Sequence, residues 1–323
     1  MKAISRRASL GSALAILASP ALAQPAYPAR PVRIIVPFAA GGGADAVARS
    51  LAQKLTEQLG QSFLVDNRPG GAGNIGTEVV ARAAADGYTM LLTGPSHVTN
   101  AHLFRQLPFD PIRAFAPISL LTSAPYVLVA NPSLPIRSFS DFIALARTSN
   151  PPLSYGSAGN GTAGHLAMEM IKAETGIDLQ HVPYRGSPPL LTDLMAGRVA
   201  IAFDNILSSN PAISSGQLRA LAVSGKARAA SLPQVPAIAE SLLPNFDVTV
   251  WQGALFPAGV DDGIITQMAN EMAKALSAPE LRAKMTTLGV EAIGSSAKVF
   301  SDFLTQEHQR WGDVIRRSGA QVD

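Results

Sequence analysis

The stretch YGSAGNGTAGHLAMEMI, residues 155–171, contains three glycines spaced G-x-G-x-x-G between an extended segment and an amphipathic helix. Two other segments repeat this order: RIIVPFAAGGGADAVARSL, residues 33–51, and RPGGAGNIGTEVVARAA, residues 68–84. Glycine allows positive φ and lets the backbone approach a ligand or a neighbouring element closely. Each segment therefore predicts a tight turn that opens a helix.

Strand-like and helix-like segments alternate on both sides of these turns. VRIIVPF, residues 32–38, is typical of a buried strand. The helix after it ends at Gly60 and has apolar residues at helical spacing, namely Val47, Leu51, Leu55 and Leu59. APISLLTSAPYVLVAN, residues 116–131, is unusually long for one strand, and a second alternating series follows it. This alternation predicts an α/β fold with mostly parallel sheets flanked by helices.

The length of the chain predicts two lobes, because about 300 residues exceed one ordinary core. We expect lobe 1 to contain residues 24–122 and 249–323, and lobe 2 to contain residues 123–248. One long strand leads out of lobe 1 and another leads back. The hinge is therefore expected near residues 122–126 and 248–251.

The first 23 residues predict a secretory signal peptide. Three basic side chains precede the apolar run LGSALAILA, which is too short to span a bilayer, and an A-x-A site favours cleavage after Ala23. The pair Arg6–Arg7 leaves twin-arginine export open, although Sec-type export is favoured. A buried N-terminal helix is the alternative. The sequence thus predicts an exported, periplasmic protein.

Charge and cysteine content exclude several classes of site. The chain has 26 basic and 23 acidic residues, and removal of residues 1–23 deletes three basic and no acidic side chains, which leaves a formally neutral chain. The basic excess therefore gives no indication of nucleic-acid or membrane binding. The absence of cysteine excludes disulfides, thiol nucleophiles and thiolate metal sites.

A nicotinamide-dependent oxidoreductase is one function that the glycines permit. Gly41, Gly43 and Ala46 match the dinucleotide-binding spacing, and Asp66 lies where a ribose-binding acid is expected. Four residues separate the strand from the glycines, however, and Asp45 lies close to the expected pyrophosphate position. A helix N-terminus binds a carboxylate as well as a phosphate.

Catalytic motifs are weak by comparison. No serine lies in a G-x-S-x-G elbow, and the five histidines include no H-E-x-x-H pair. His165 is better explained by packing. Asp204 ends a buried apolar run, where α/β sheets place their ligands, so it either faces a ligand or braces a loop.

Six segments together resemble the Bug (Bordetella uptake gene) family, the periplasmic solute-binding receptors of tripartite tricarboxylate transporters. They are YPARPVRIIVPFAAGGGADAVAR, VDNRPGGAGNIGTEVVARAAADGYTMLL, LPFDPIRAFAPISLL, YGSAGNGTAGHLAMEMIK, HVPYRGSPPLLTDLMAGRVAIAFDN and LRALAVSGKARAASLPQVPAIAE. The resemblance implies a two-lobed, type II-like periplasmic binding protein fold joined by two crossing strands. It also implies capture of a small carboxylate between the lobes by a monomer, delivery to membrane permease subunits, and no catalysis, cofactor or metal. A sensor-coupled binding protein is a further alternative.

The resemblance also implies the ligand-binding residues, mostly through backbone amides of two glycine loops. Carried over by motif, they are Phe38, Ala39, Ala40, Gly41, Gly42, Ser96, His97, Ser157, Ala158, Gly159, Asn160, Gly161, Thr162 and Asp204. The family often has PFPPGGGTD where this chain has PFAAGGGAD, which removes two rigid prolines and a hydroxyl from the first loop. Arg185 either braces the second loop or contacts the ligand.

Overall fold

The computed structural model describes residues 27–184 and 186–318. The predicted signal peptide and Arg185 lie outside the described residues. Within them, no helix combines the length and apolar character needed to cross a membrane.

The described residues form ten strands and ten α-helices in alternating order, with short 3-10 turns at Gly71–Gly73 and Ile238–Glu240. The strands are β1 (Val32–Val36), β2 (Phe63–Asn67), β3 (Thr89–Thr93), β4 (Phe115–Ala130), β5 (Leu153–Ser157), β6 (Leu179–Pro183), β7 (Ile201–Asn205), β8 (Arg219–Val223), β9 (Thr249–Pro257) and β10 (Glu291–Ala292). The helices are α1 (Gly43–Leu59), α2 (Asn74–Ala81), α3 (Ser96–Leu103), α4 (Phe139–Thr148), α5 (Ala163–Thr175), α6 (Ser187–Met195), α7 (Ile206–Ser214), α8 (Asp262–Ser277), α9 (Pro279–Thr287) and α10 (Ala297–Ser318).

The strands join in the order β2-β1-β3-β9-β4-β7-β5-β6, with β8 and β10 also paired to β4. β1 is parallel to β2 and β3, and β5 is parallel to β6 and β7. β4 and β9 run antiparallel to each other and to their other neighbours. The predicted α/β fold is confirmed: two mostly parallel groups of strands are connected by a pair of crossing strands.

β4 is the strand that takes part in both groups. Its residues 115–125 pair with β9, and its residues 126–130 pair with β7 and β8. The long apolar stretch of the sequence is therefore one strand of 16 residues. Two register shifts against β9 interrupt its first half.

Helices cover both faces of each group, as the alternating sequence predicts. One apolar cluster lies under α1, α8 and α9, and another lies under α6 and α7. The largest cluster joins α2, α3 and α10 with α4 and α5. In the predicted stripe of α1, Val47, Leu51 and Leu55 are buried and Leu59 is half-buried. Gly60 ends the helix with φ +66°.

Two helices were not predicted: α3, which begins three residues after the end of β3, and α7, which directly follows β7. α3 has only eight residues, and α7 contains Pro211, which interrupts a helical pattern. In α10, Val299 is 55% exposed, whereas Phe300 begins the buried side of the helix and packs over Gly253 of β9.

Candidate functional site

A cavity of about 600 Å³ opens at the carboxyl ends of the parallel strands. Its wall contains the segments that directly follow β1, β3, β5 and β7, together with parts of β4 and β9. This is where open α/β sheets place ligands, because the loops after neighbouring parallel strands converge there. Both groups of strands therefore contribute to one cavity.

The cavity brings together seven of the fourteen predicted site residues. These are Phe38, Ala39, Gly42, Ser96, Asn160, Gly161 and Thr162. The predicted residues outside the wall are Ala40, Gly41, His97, Ser157, Ala158, Gly159 and Asp204. The assignment of ligand contacts to these fourteen residues stays a prediction.

Four helices begin in the wall of the cavity. They are α1, α3, α5 and α7, whose first residues or N-caps all line it. The first-turn N–H groups of a helix have no intrahelical acceptors, and the helix dipole places partial positive charge there. Gly43, Ala44 and Ala163 are wall residues of this kind, one or two positions beyond the last predicted glycine of each loop.

No lining residue in the described part of the chain carries a formal charge. The polar groups are neutral amides and hydroxyls, such as those of Asn100, Asn160 and Ser96. The rest of the wall includes apolar side chains, among them Phe104 and Val290. An anion in this cavity would therefore meet helix N-termini and neutral donors, with no lining carboxylate to repel it.

The first glycine loop is fixed by Asp45. Gly41 has φ +83°, and its N–H donates to Oδ2 of Asp45 at 2.9 Å. Arg49 donates to the same oxygen at 3.0 Å. Burial raises the pKa of Asp45, but the bonds from Arg49, Gly41 and Asn67 outweigh it, and the pKa lies below its ordinary value. The carboxylate at this helix N-terminus is thus paired with a cation.

The second glycine loop has the same arrangement with a different acceptor. Gly161 has φ +72°, and its N–H donates to Nδ1 of His165 at 3.1 Å. Thr162 caps α5, and its hydroxyl donates to the carbonyl of Gly159 at 2.8 Å. The amide of Gly161 therefore points at its own helix in this structure.

Ser157 lies behind that loop. Its Oγ is 2.7 Å from Nε2 of His181 and donates to the carbonyl of Gly159 at 3.1 Å. The rings of His165 and His181 are stacked, with centroids 4.1 Å apart. His165 was predicted to pack, and it does so while also accepting the bond from the loop.

His97 and Asp204 have partners away from the cavity. Nε2 of His97 is 2.7 Å from the carbonyl of Pro111, and burial lowers its pKa to about 4. The carboxylate of Asp204 is 2% exposed and accepts bonds from the hydroxyls of Ser187 and Ser209. Burial raises the pKa of Asp204 despite these bonds.

Two of the glycines that complete the dinucleotide-like spacing serve packing. A Cβ on Gly76 would lie 2.7 Å from the carbonyl oxygen of Arg68, and one on Gly164 would lie 2.7 Å from that of Phe203. Both helices can therefore lie against backbone only because no side chain intervenes. Asp66, the candidate ribose ligand, is bonded to Arg33 at 2.7 Å and to Arg68 at 3.0 Å.

The crossing strands contribute wall residues that sequence reasoning missed. Tyr126 of β4 and Gln252 of β9 line the cavity, and Asn205 lines it beside the predicted Asp204. The hydroxyl of Thr122 donates to Oε1 of Gln252, which ties β4 to β9. The polar Gln252 within the otherwise apolar run TVWQGALF is the sequence feature that could have indicated a wall residue here, and the structure shows this glutamine buried.

Metal binding finds no support in the described residues, where no three His, Asp or Glu side chains form a cluster able to hold an ion.

The chain is similar to known proteins over most of its length. The family model described as "Tripartite tricarboxylate transporter family receptor" matches residues 47–320. Among solved structures, Rpa4515 of R. palustris with adipate is 36% identical, with a TM-score of 0.82 over 92% of this chain and 100% of that one.

Two further structures have similar relationships to this chain. MatC (Rpa3494) from Rhodopseudomonas palustris with bound malate is 30% identical, with a TM-score of 0.77 over 90% of this chain and 100% of that one. The periplasmic binding protein BugD is 31% identical, with a TM-score of 0.78 over 91% and 99%. The chain therefore belongs to the receptor family of tripartite tricarboxylate transporters, whose members are periplasmic solute-binding proteins such as BugD.

Proposed function

We propose that this protein captures a small carboxylate in the cavity and delivers it to the membrane permease subunits of a tripartite tricarboxylate transporter. The observation that carries the proposal is that the N-termini of α1 and α5, which belong to different strand groups, line the same cavity. Among the described residues, none that lines this cavity is charged. Helix N-termini bind anions through free amides and the helix dipole.

The magnitudes are compatible with such a site. A micromolar complex needs about 8 kcal/mol, whereas one helix terminus contributes at most ~2 kcal/mol in a favourable geometry. Charge-assisted hydrogen bonds of roughly 1.5–3 kcal/mol each must supply the remainder, after the cost of association. Several amides, such as those of Gly43, Ala44 and Ala163, are therefore required from both loops.

The relatives support a carboxylate as the ligand class. Rpa4515 was solved with adipate and MatC with malate, and both cover nearly all of this chain. Amino acids and aromatic acids belong to the same class of candidates, because each carries the carboxylate that the loops would hold. The Asp204 carboxylate is bonded to two serine hydroxyls, so we expect the neighbouring Asn205 to act more directly on the far end of the ligand.

Capture requires two lobes that close on the ligand. We assign lobe 1 to residues 24–122 and 249–323 and lobe 2 to residues 123–248, because β4 changes pairing partners near residue 125. The hinge would then lie at residues 122–126 and 248–251. We further propose that the monomer is exported by its signal peptide and begins at Gln24, which intact-mass measurement of periplasmic extract would test.

A thermal-shift screen tests the function directly, since a ligand that binds the native state raises Tm by mass action. We expect stabilisation by members of a panel of mono-, di- and tricarboxylates, including adipate and malate. Stabilisation by NAD(H) or NADP(H), with no response to the carboxylates, would favour the oxidoreductase. Deletion of the gene for this protein separates transport from sensing: uptake of the ligand must fall if the protein serves a transporter.

A further inference from the structure

The second glycine loop is held from behind by two histidines that the proposed function does not use. Nδ1 of His165 accepts the N–H of Gly161 at 3.1 Å, and Nε2 of His181 lies 2.7 Å from Oγ of Ser157. The two bonds fasten the start and the end of the loop between β5 and α5. The loop that faces the cavity is therefore anchored to α5 and β6 by imidazole nitrogens.

The two imidazoles are in direct contact with each other. Their centroids are 4.1 Å apart with 18° between the planes, and Tyr155 of β5 stacks on His181 at 4.7 Å. Two imidazolium rings in this arrangement would repel each other at short range and with little water between them. The stack therefore favours uncharged rings.

The charged groups around the pair offset each other. Glu169 and Lys172 of α5 form an ion pair at 3.0 Å, and the hydroxyl of Tyr155 donates to Glu169 at 2.6 Å. Burial lowers the pKa of His165, and burial with the nearby His165 lowers the pKa of His181 to about 4. Glu169 raises both values and Lys172 lowers them, so the ion pair does not supply a net charge that would hold a proton.

The bond from Gly161 also requires a neutral ring. An imidazole nitrogen accepts a hydrogen bond only when it carries no proton, so His165 must keep its proton on Nε2. Protonation at Nδ1 would remove the acceptor and leave two N–H groups facing each other. The loop would then lose one anchor and lie beside a charged pair.

We propose that His165 and His181 are positioning residues that hold the Ser157–Thr162 loop in its ligand-binding conformation only while both rings are uncharged, so that acidification lowers ligand affinity. This inference rests on the proposed function, because it concerns the loop that would present α5 to the carboxylate. Proton linkage gives the direction of the pH effect. In the released loop the histidines have the ordinary pKa near 6.5, so below that pH the released loop binds more protons than the held loop. The preference for the held loop, and with it the affinity, therefore falls as the pH drops from about 6.5 towards the lowered pKa values of the pair.

Two variants of His165 separate its hydrogen bond from its ring. His165→Asn places an amide oxygen near the position of Nδ1 and cannot be protonated, whereas His165→Phe keeps the stack and removes the acceptor. With adipate as the probe, we expect His165→Phe to bind roughly fivefold more weakly at pH 7.5, the effect of one neutral hydrogen bond. His165→Asn should remain closer to the wild type at that pH.

The pH dependence of ligand affinity distinguishes the proposal from a purely structural role of His165, which would leave that dependence unchanged. Calorimetric titrations at several pH values between 7.5 and about 4 should show the ratio of wild-type to His165→Asn affinity falling by up to tenfold per pH unit once the pair titrates. Ionisation of adipate cancels in this ratio, because both proteins bind the same ligand. A constant ratio, or wild-type affinity in His165→Phe, would overturn the proposal.

A measurement without ligand decides the proposal even if the proposed function fails. Histidine-ring NMR of the intact protein should show His165 as the Nε2–H tautomer with a pKa below 6.5, and replacement of His181 by Asn should raise that pKa. A His165 ring that carries its proton on Nδ1, or that titrates independently of His181, contradicts the proposal. Failure of every carboxylate to bind would instead contradict the proposed function.

Discussion

Gly161 and Gly176 lie at the two ends of α5 and hold nearly the same left-handed backbone, with φ +72° and +69°. Gly161 lines the cavity, whereas Gly176 caps the far end of the helix, where an added Cβ would meet no atom within 4 Å. The two positions therefore share one backbone requirement and differ in their distance from the candidate site.

This pair gives a matched test of the glycine loop. A side chain in the left-handed region costs about 1–2 kcal/mol, so Gly161→Val and Gly176→Val should both lower the free energy of unfolding by about that amount or more. Only Gly161→Val should also abolish binding of the carboxylate found in the screen, because it places a branched side chain at the cavity wall. Full affinity in Gly161→Val would show that the site has been misplaced.

A second prediction concerns the crossing strand β9. An added Cβ on Gly253 would overlap the ring of Phe300 in α10, so Gly253→Ala should be destabilising by about 1–3 kcal/mol through overpacking. Combining it with Phe300→Leu should recover part of the loss, because the smaller side chain leaves room for the methyl group. Denaturant unfolding of both single variants and the double variant measures this coupling. Strict additivity of the two single effects would contradict the packing explanation.

The buried carboxylate of Asp204 predicts a pH dependence of stability. Its pKa is raised above the ordinary value of 3.8, mainly by burial, so the folded state holds this proton more tightly than the unfolded state. The wild type should therefore lose stability relative to Asp204→Asn as the pH increases from below 3.8 through the raised pKa. The total loss should be about 1.4 kcal/mol for each unit by which the folded-state pKa exceeds 3.8. Urea denaturation of both proteins across this range checks the sign. A difference in stability that is independent of pH would exclude ionisation of Asp204 as the cause.

Closure of the proposed lobes is the fourth prediction. If a ligand bridges the α1 and α5 N-termini, it can shift the conformational equilibrium only by its preference for the closed form. Saturation with a bound carboxylate should then reduce the radius of gyration measured by small-angle scattering, with the change absorbed near the Thr122–Gln252 contact. A ligand that binds at full affinity without altering the radius would argue against closure.

Local pattern was sufficient for most of the elements. The spacing of Val47, Leu51 and Leu55 and the stop at Gly60 predicted α1 correctly, because side-chain period and C-cap chemistry act within a few residues. The same holds for β4, whose length alone indicated that it connects two series of strands. α3 and α7 were missed because a short helix and one with an internal proline lack a clear period.

By itself, the sequence determined the alternating α/β fold, the glycine turns and, through the resemblance, the family. The tertiary structure decided which donors face the cavity: it directs the Gly161 amide to His165, places Asp204 between two serines, and brings Gln252 into the wall. The reason is physical. Turn and helix preferences depend on neighbours within one turn of the chain, whereas the direction of an amide and the lining of a cavity depend on strands paired across more than a hundred residues.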